Sequence, residues 1–82
     1  MKITEAIAAV EAEYRRSMSL FPNFNSAHEG YAVMLEEVEE LWDAIRAKQH
    51  SDDLDIQGRQ REEAIHVGAM AIKFLVSMEA WR

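Results

Sequence analysis

A segment near the C-terminus of this chain is apolar on almost every side of a helix, and it constrains the fold more than any other feature. Its apolar residues are Ala64, Ile65, Val67, Ala69, Met70, Ala71, Ile72, Phe74, Leu75, Val76 and Met78. A helix with so little polar surface is normally buried on most sides. An 82-residue chain with three helices cannot easily surround one of them. We therefore expect an all-α, bundle-forming homo-oligomer, a dimer or a tetramer, with this helix at or near the interface.

The rest of the sequence predicts two further helices. Residues 3–19 are predicted to form an amphipathic helix, because apolar side chains recur at spacings of three and four: Ile3, Ile7, Val10, Tyr14 and Met18. A loop with Pro22 follows, and Ser26 with Glu29 forms a capping box that predicts the start of the second helix. That helix is expected to reach about Lys48, with a core-facing stripe of Tyr31, Met34, Leu35, Val38, Leu41, Trp42 and Ile45. After a turn, Ser51, Asp52 or Asp53 would cap the third helix, which is expected to run from about Asp55 to the end.

The composition excludes several classes of partner. The formal net charge is -6, and no basic stripe is visible that would give a general affinity for nucleic acid or anionic lipid. The chain has no cysteine, which excludes a disulfide or a thiolate metal site. No window has the roughly 18 apolar residues that a membrane span requires, and the N-terminus lacks the apolar core of a signal peptide. We expect a cytoplasmic protein without a membrane or nucleic-acid partner, whose acidic excess suits a carboxylate cluster for divalent cations.

Two pairs of candidate metal ligands have a spacing of three residues. Glu37 and Glu40 are neighbours on one side of the second helix, with Glu36 at its edge, and Glu63 and His66 have the same spacing on the third helix. Small and apolar residues share the side of Glu37 and Glu40, which indicates that this side is partly covered. Between antiparallel helices the four groups would converge on a divalent cation. Oxygen-rich coordination favours Mg²⁺ or Mn²⁺, while the histidine nitrogen shifts the preference toward Mn²⁺, Fe²⁺ or Zn²⁺.

Each of these residues also has a purely structural interpretation. A glutamate-rich run is commonly a solvated helix face, and a lone histidine in an apolar helix is commonly a hydrogen-bonded core residue. Lys73 lies one heptad after His66 and is either a snorkelling side chain or a phosphate ligand. Arg15 and Arg16 are interpreted as surface charges. The residues alone leave these alternatives open.

The order of the motifs resembles that of the MazG-like all-α nucleoside triphosphate pyrophosphohydrolases. In this family an E-E-x-x-E motif on one helix is followed by an E-x-x-D motif that opens an apolar helix. The stretch LEEVEELWDAI supplies Glu36, Glu37 and Glu40 in register, and REEAIHVGAMAIKFL resembles the second motif, with Glu63 as its glutamate. The phrase HEGYAVMLEEVEELWDAI is also similar to short MazG-like proteins of phages and mobile elements. The resemblance covers roughly residues 26–78 and implies a single MazG-like helical domain over residues 1–82.

The resemblance implies a metal-dependent hydrolysis of a nucleoside triphosphate between its α and β phosphates, as in cleansing of the nucleotide pool. The products would be a nucleoside monophosphate and pyrophosphate, and the cofactor would be Mg²⁺ or Mn²⁺. Glu36 would orient or deprotonate the attacking water, and Lys73 would contact phosphate. The metal ligands implied are Glu37, Glu40, Glu63 and, as a fourth, His66.

The chain departs from the family pattern at one position, because His66 stands where the family has aspartate. The change removes a negative charge and an oxygen ligand, which would weaken Mg²⁺ binding, change the preferred metal or mark a protein that has lost catalysis. One alternative is thus a non-catalytic MazG-like helical oligomer that serves as a binding or regulatory module. Another is a di-iron carboxylate bundle, since a homodimer would supply two copies of the Glu63/His66 pair.

Overall fold

The computed structural model describes residues 1–47 and 55–81, and in these ranges it is built from helices alone. Helix α1 spans Ile3–Leu20, α2 spans Ala27–Ala47 and α3 spans Ile56–Ser77, followed by a short 3₁₀ helix at Met78–Ala80. Helix α3 packs against both α1 and α2. The predicted all-α class with three main helices is confirmed for this part of the chain. No helix within it is both long enough and apolar enough to cross a lipid bilayer.

The predicted start of α2 is confirmed by its capping contacts. The backbone N–H of Glu29 donates to Ser26 Oγ at 3.1 Å, and the N–H of Gly30 donates to the Ser26 carbonyl at 3.0 Å. The Glu29 carboxylate accepts a hydrogen bond from the Asn25 side chain at 3.1 Å. For α3, Asp55 is the residue before the helix. The predicted caps Ser51, Asp52 and Asp53, and the predicted end of α2 at Lys48, lie outside the described residues.

Three side chains at the C-terminal end of the protein bind the backbone of the loop between α1 and α2. Lys73 Nζ donates to the Phe21 carbonyl at 2.9 Å, and Trp81 Nε1 donates to the Phe24 carbonyl at 2.8 Å. Between them, the Phe24 N–H donates to Ser77 Oγ at 3.0 Å. Because these side chains recur every four residues, they lie on one side of α3 and its extension. The loop is therefore tied to α3 along its length.

The core forms where the loop and α2 meet α3. Phe24, Ala69 and Met70 are buried, and partly buried apolar side chains surround them: Val10, Tyr14, Val33, Met34, Phe74 and Trp81. A Cβ atom at Gly30 would lie 2.6 Å from Phe74 Cδ2. The missing side chain at Gly30 thus allows α2 to approach α3 closely.

The stripe predicted as the core face of α2 is largely exposed in the single chain. Five of its members are between 39% and 64% exposed, and we call them the α2 seam: Tyr31, Leu35, Val38, Trp42 and Ile45. Helix α3 packs instead on the side of Gly30 and Ala44, which are buried. Small residues on that side permit the closer approach, so the prediction that the whole stripe is core is wrong for a single chain.

Helix α3 is less enclosed than its composition predicts. Its buried residues are Ile56, Ala69, Met70, Lys73 and Ser77. Near its C-terminal end, Leu75 and Val76 are 66% and 41% exposed. The helix is therefore central in the three-helix arrangement but keeps an open apolar side at this end.

Candidate metal centre

The structure brings together the two residue pairs that the sequence singled out on α2 and α3. One ligand atom from each of Glu37, Glu40, Glu63 and His66 lies within 4.8 Å of the others. His66 Nδ1 is 3.5 Å from Glu37 Oε2 and 3.5 Å from Glu63 Oε2. The four residues come from one chain, and the i, i+3 spacing on each helix places each pair on one surface.

Two carboxylate oxygens of this cluster are buried without a hydrogen-bond partner among the described residues. They are Oε2 of Glu37 and Oε2 of Glu63, the same atoms that face His66 Nδ1. Buried polar atoms in folded proteins are almost always hydrogen-bonded, so such exceptions require an explanation. A cation between the two helices would provide both oxygens with a partner. Glu40 is exposed, which leaves the cluster open to solvent on that side.

The electrostatics of the cluster disfavour the ionised forms of Glu37 and Glu63. Burial raises the pKa of the Glu37 carboxyl above its ordinary value, and the neighbouring Glu40 raises it further. Burial also raises the pKa of Glu63, and Glu40 again adds to the effect. His66 lowers the pKa of both carboxyls, but this effect is smaller than the increase caused by burial. A bound divalent cation would compensate the charge that the fold concentrates here.

The donor set and the spacing both fit a divalent cation. Three carboxylates and one imidazole offer hard oxygen donors and one borderline nitrogen donor, a mixture that Mn²⁺, Mg²⁺, Fe²⁺ and Zn²⁺ all accept. Ligands on opposite sides of an Mg²⁺ ion are about 4.2 Å apart, close to the 4.8 Å within which the four atoms lie. Small side-chain movements would bring them onto one ion. The cluster can therefore hold a metal ion, but its donors do not single out one metal.

A cavity of about 410 Å³ lies beside the cluster, between all three helices and the loop after α1. Glu37 and His66 line it on the side of the cluster, and the exposed Glu36 lines it next to them. Arg16 and Lys73 supply its basic groups. The cavity therefore joins the candidate ligands to two cationic side chains and to Glu36.

Lys73 lines this cavity as a buried group, not as a snorkelling one. Its side chain is 1% exposed, and Nζ donates to Ser17 Oγ and to the Phe21 carbonyl, both at 2.9 Å. Burial lowers the pKa of its ammonium group, and Glu29 opposes this effect. Two of its three N–H donors are thus occupied by the protein. Its observed role is to tie α3 to α1 and the loop, and the phosphate contact stays a prediction.

The sequence interpretation missed the contribution of α1, which is made by Glu13 and Arg16. Glu13 Oε1 lies 3.6 Å from His66 Nε2. Arg16, interpreted from the sequence as a surface charge, donates two hydrogen bonds to the Glu13 carboxylate, at 2.6 and 2.8 Å. This hydrogen bonding lowers the pKa of Glu13, although burial opposes it. One signal was available, because Glu13 and Ser17 follow Val10 by three and seven residues and so share the apolar side of α1.

Comparison of the chain with protein-family models gives no match, and comparisons with curated proteins and with solved structures give none either. The function proposed for the chain is therefore based on its two motifs and on the geometry of this cluster.

The raised pKa of Glu37 predicts that Glu37→Gln stabilises the metal-free protein at neutral pH. The free energy of unfolding contributed by this carboxyl is present below its ordinary pKa of 4.5 and is lost as the pH rises through the raised value. Gln resembles the protonated form, so the melting temperature of the variant in a chelator should increasingly exceed that of the wild type as the pH rises above 4.5. Thermal unfolding followed by circular dichroism measures the difference.

The same variant should respond less to metal. Mn²⁺ at about 100 times its dissociation constant should stabilise the wild type by about 2.7 kcal/mol. This stabilisation by Mn²⁺ should be smaller in Glu37→Gln, since the negative charge of a ligand carboxylate is lost. Glu39→Gln is the control, because Glu39 is exposed on the same helix and outside the cluster. If Mn²⁺ raised the free energy of unfolding equally in Glu37→Gln and in the wild type, the assignment of Glu37 as a ligand would be contradicted.

Proposed function

We propose that this chain is a metal-dependent, MazG-like nucleoside triphosphate pyrophosphohydrolase that acts in the cytoplasm. It would convert a nucleoside or deoxynucleoside triphosphate to the monophosphate and pyrophosphate and so cleanse the nucleotide pool. One observation carries the proposal: four potential ligands lie within 4.8 Å of one another at the edge of a cavity of about 410 Å³. That volume is within the range of about 300–1,000 Å³ typical of small-molecule sites.

The cofactor in this proposal is Mg²⁺ or Mn²⁺, held by Glu37, Glu40, Glu63 and His66. When bound, such an ion neutralises phosphate charge and polarises the scissile phosphorus. The burial of Glu37 Oε2 and Glu63 Oε2 without hydrogen-bond partners among the described residues supports their role as ligands. Glu40 is exposed, so an ion can reach the cluster from solvent on that side.

Glu36 is the proposed general base. Glu36 is exposed and lines the cavity together with Glu37 and His66, without being one of the four clustered residues. It would take the proton of a water molecule as the water oxygen attacks the α phosphorus. The bond from that phosphorus to the bridging oxygen then breaks, and pyrophosphate leaves. Proton transfer of this kind typically contributes about 10²–10⁴-fold to the rate.

The basic groups and apolar side chains of the cavity support a nucleotide as the ligand. Lys73 retains one N–H beyond its two protein acceptors, and this N–H is proposed to contact phosphate. Arg16 adds a second cationic side chain to the lining, where it is hydrogen-bonded to Glu13. The apolar part of the lining, which would contact the sugar or base, is formed by Leu20, Phe21, Phe24, Val33 and Met70.

Pyrophosphate release from a panel of canonical and modified NTPs and dNTPs tests the proposal. Release should require Mg²⁺ or Mn²⁺. It should fall by about 10²-fold or more in Glu37→Ala, because a metal contributes several kcal/mol to the transition state. Glu39→Ala provides the matched control, as it removes a neighbouring exposed glutamate from outside the cluster. Equal rates in the two variants would contradict the proposed site.

The absence of pyrophosphate release with any metal would favour the non-catalytic alternative, with His66 as the reason for lost chemistry. His66→Asp restores the acidic residue of the second motif and would test that explanation. If this variant releases pyrophosphate and the wild type does not, the fold supports the reaction and the histidine prevents it. Tight binding of iron by two chains together would instead favour the di-iron alternative.

We also propose that copies of the chain associate through the α2 seam, as a homodimer or as part of a homotetramer. The seam residues are spaced four, three, four and three apart, which is the heptad pattern of a helix that pairs with another helix. The occupant that this pattern fits best is the same seam of a second copy. All five residues are apolar or aromatic, and all are exposed in the single chain. Complete burial of a leucine or isoleucine side chain is worth about 1.5–3 kcal/mol.

The double substitution Leu35→Lys with Trp42→Lys is expected to produce monomers, because charged side chains one heptad apart would enter the seam. Sedimentation velocity measures the change in mass against the oligomeric wild type. The control is Ala32→Lys, which is exposed on the same helix but outside the seam. A monomeric wild type, or a variant with an unchanged mass, would contradict the proposal.

A further inference from the structure

We propose that Glu13 is a positioning residue for the metal centre: it holds the imidazole of His66 by Nε2, so that Nδ1 is presented to the metal. The inference deepens the proposed function and rests on the metal centre described above. It concerns a residue of α1 that lies outside both sequence motifs. Glu13 itself does not touch the metal in this proposal.

The geometry around His66 carries the inference. The two ring nitrogens face different groups, because Nδ1 is 3.5 Å from one oxygen each of Glu37 and Glu63, whereas Nε2 is 3.6 Å from Glu13 Oε1. An approach of about 0.7 Å would convert the Nε2–Glu13 contact into an ordinary hydrogen bond of about 2.9 Å. In that arrangement the ring proton is on Nε2. Nδ1 then keeps its lone pair on the side of the two buried carboxylate oxygens.

The carboxylate of Glu13 is fixed in position by hydrogen bonds and by partial burial. Both of its carboxylate oxygens accept hydrogen bonds from Arg16, at 2.6 and 2.8 Å, and its side chain is only 15% exposed. The two N–H groups of Arg16 bind one oxygen each, which fixes the orientation of the Glu13 carboxylate beside the imidazole. Arg16 thus fixes Glu13, and Glu13 in turn orients His66.

The arrangement of carboxylate, histidine and metal has a known physical consequence. A carboxylate on the second ring nitrogen fixes the tautomer and raises the basicity of the ligating nitrogen, and its loss typically lowers metal affinity by about 10–100-fold. The effect acts through nitrogen. It should therefore matter more for Mn²⁺, which accepts imidazole, than for Mg²⁺, which prefers oxygen ligands. Glu13 would consequently set the preference of the site between these two metals.

Calorimetric titration of the full chain with Mn²⁺ and, separately, with Mg²⁺ tests the inference without any substrate. Glu13→Ala should weaken Mn²⁺ binding by about 10–100-fold and Mg²⁺ binding by clearly less. Glu13→Gln should recover part of the Mn²⁺ affinity, because its amide oxygen can still accept from Nε2–H. This split between metals, with rescue by glutamine, is not expected from a residue that only supports the fold.

Glu11→Ala is the matched control. Glu11 lies on the same helix and pairs with Arg15 at 2.9 Å, as Glu13 pairs with Arg16, but its side chain is 55% exposed. The control should bind both metals as the wild type does. Circular dichroism establishes that each variant is folded, and Glu13→Gln carries the test if the alanine variant does not fold.

The inference is overturned if folded Glu13 variants bind Mn²⁺ as tightly as the wild type, or if the affinities for Mn²⁺ and Mg²⁺ fall equally. These results would leave the metal centre itself in place. A wild-type protein that binds neither metal would overturn both the inference and the metal-dependent function. The two failures are therefore distinguishable.

Discussion

The concentration of negative charge between α2 and α3 is the constraint on which the account of this protein depends. Glu37 and Glu63 are partly buried with raised pKa values, and each has a buried oxygen without a hydrogen-bond partner among the described residues. Helices that pack through Gly30 and Ala44 bring these carboxyls close instead of letting them separate into solvent. Such an arrangement lowers the stability of a metal-free domain of this size, since burial of charge without compensation is costly. A bound divalent cation would neutralise these carboxylates, and the relief of their unfavourable burial would contribute to the affinity for the metal.

The sequence predicted the helices and this cluster because both depend on local spacing. The three-residue separation of Glu37 from Glu40, and of Glu63 from His66, determines which surface each pair occupies once the helices form. The small residues beside Glu37 and Glu40 indicated that their side of α2 is covered. The convergence of the two pairs required one further assumption, that α2 and α3 are neighbours, and the structure agrees with it.

The remaining features depend on contacts that spacing does not determine. The position of α1 over His66 brings Glu13 to the site from the other end of the chain, and Lys73 crosses to Ser17 and to the loop backbone. The prediction that the α2 seam is part of the core was wrong for a related reason. Periodicity identifies an apolar face but not whether the covering surface belongs to the same chain, and α3 packs on the side with smaller residues.

The most direct test of the central claim is the position of Mn²⁺ in crystals of the protein, located by its anomalous scattering. The account predicts a peak between α2 and α3, within about 2.0–2.3 Å of carboxylate oxygens of Glu37 and Glu63 and of His66 Nδ1. The distance from His66 Nε2 to Glu13 should shorten in the same crystals. No peak at this position, with Mn²⁺ bound elsewhere on the protein or not at all, would contradict the account.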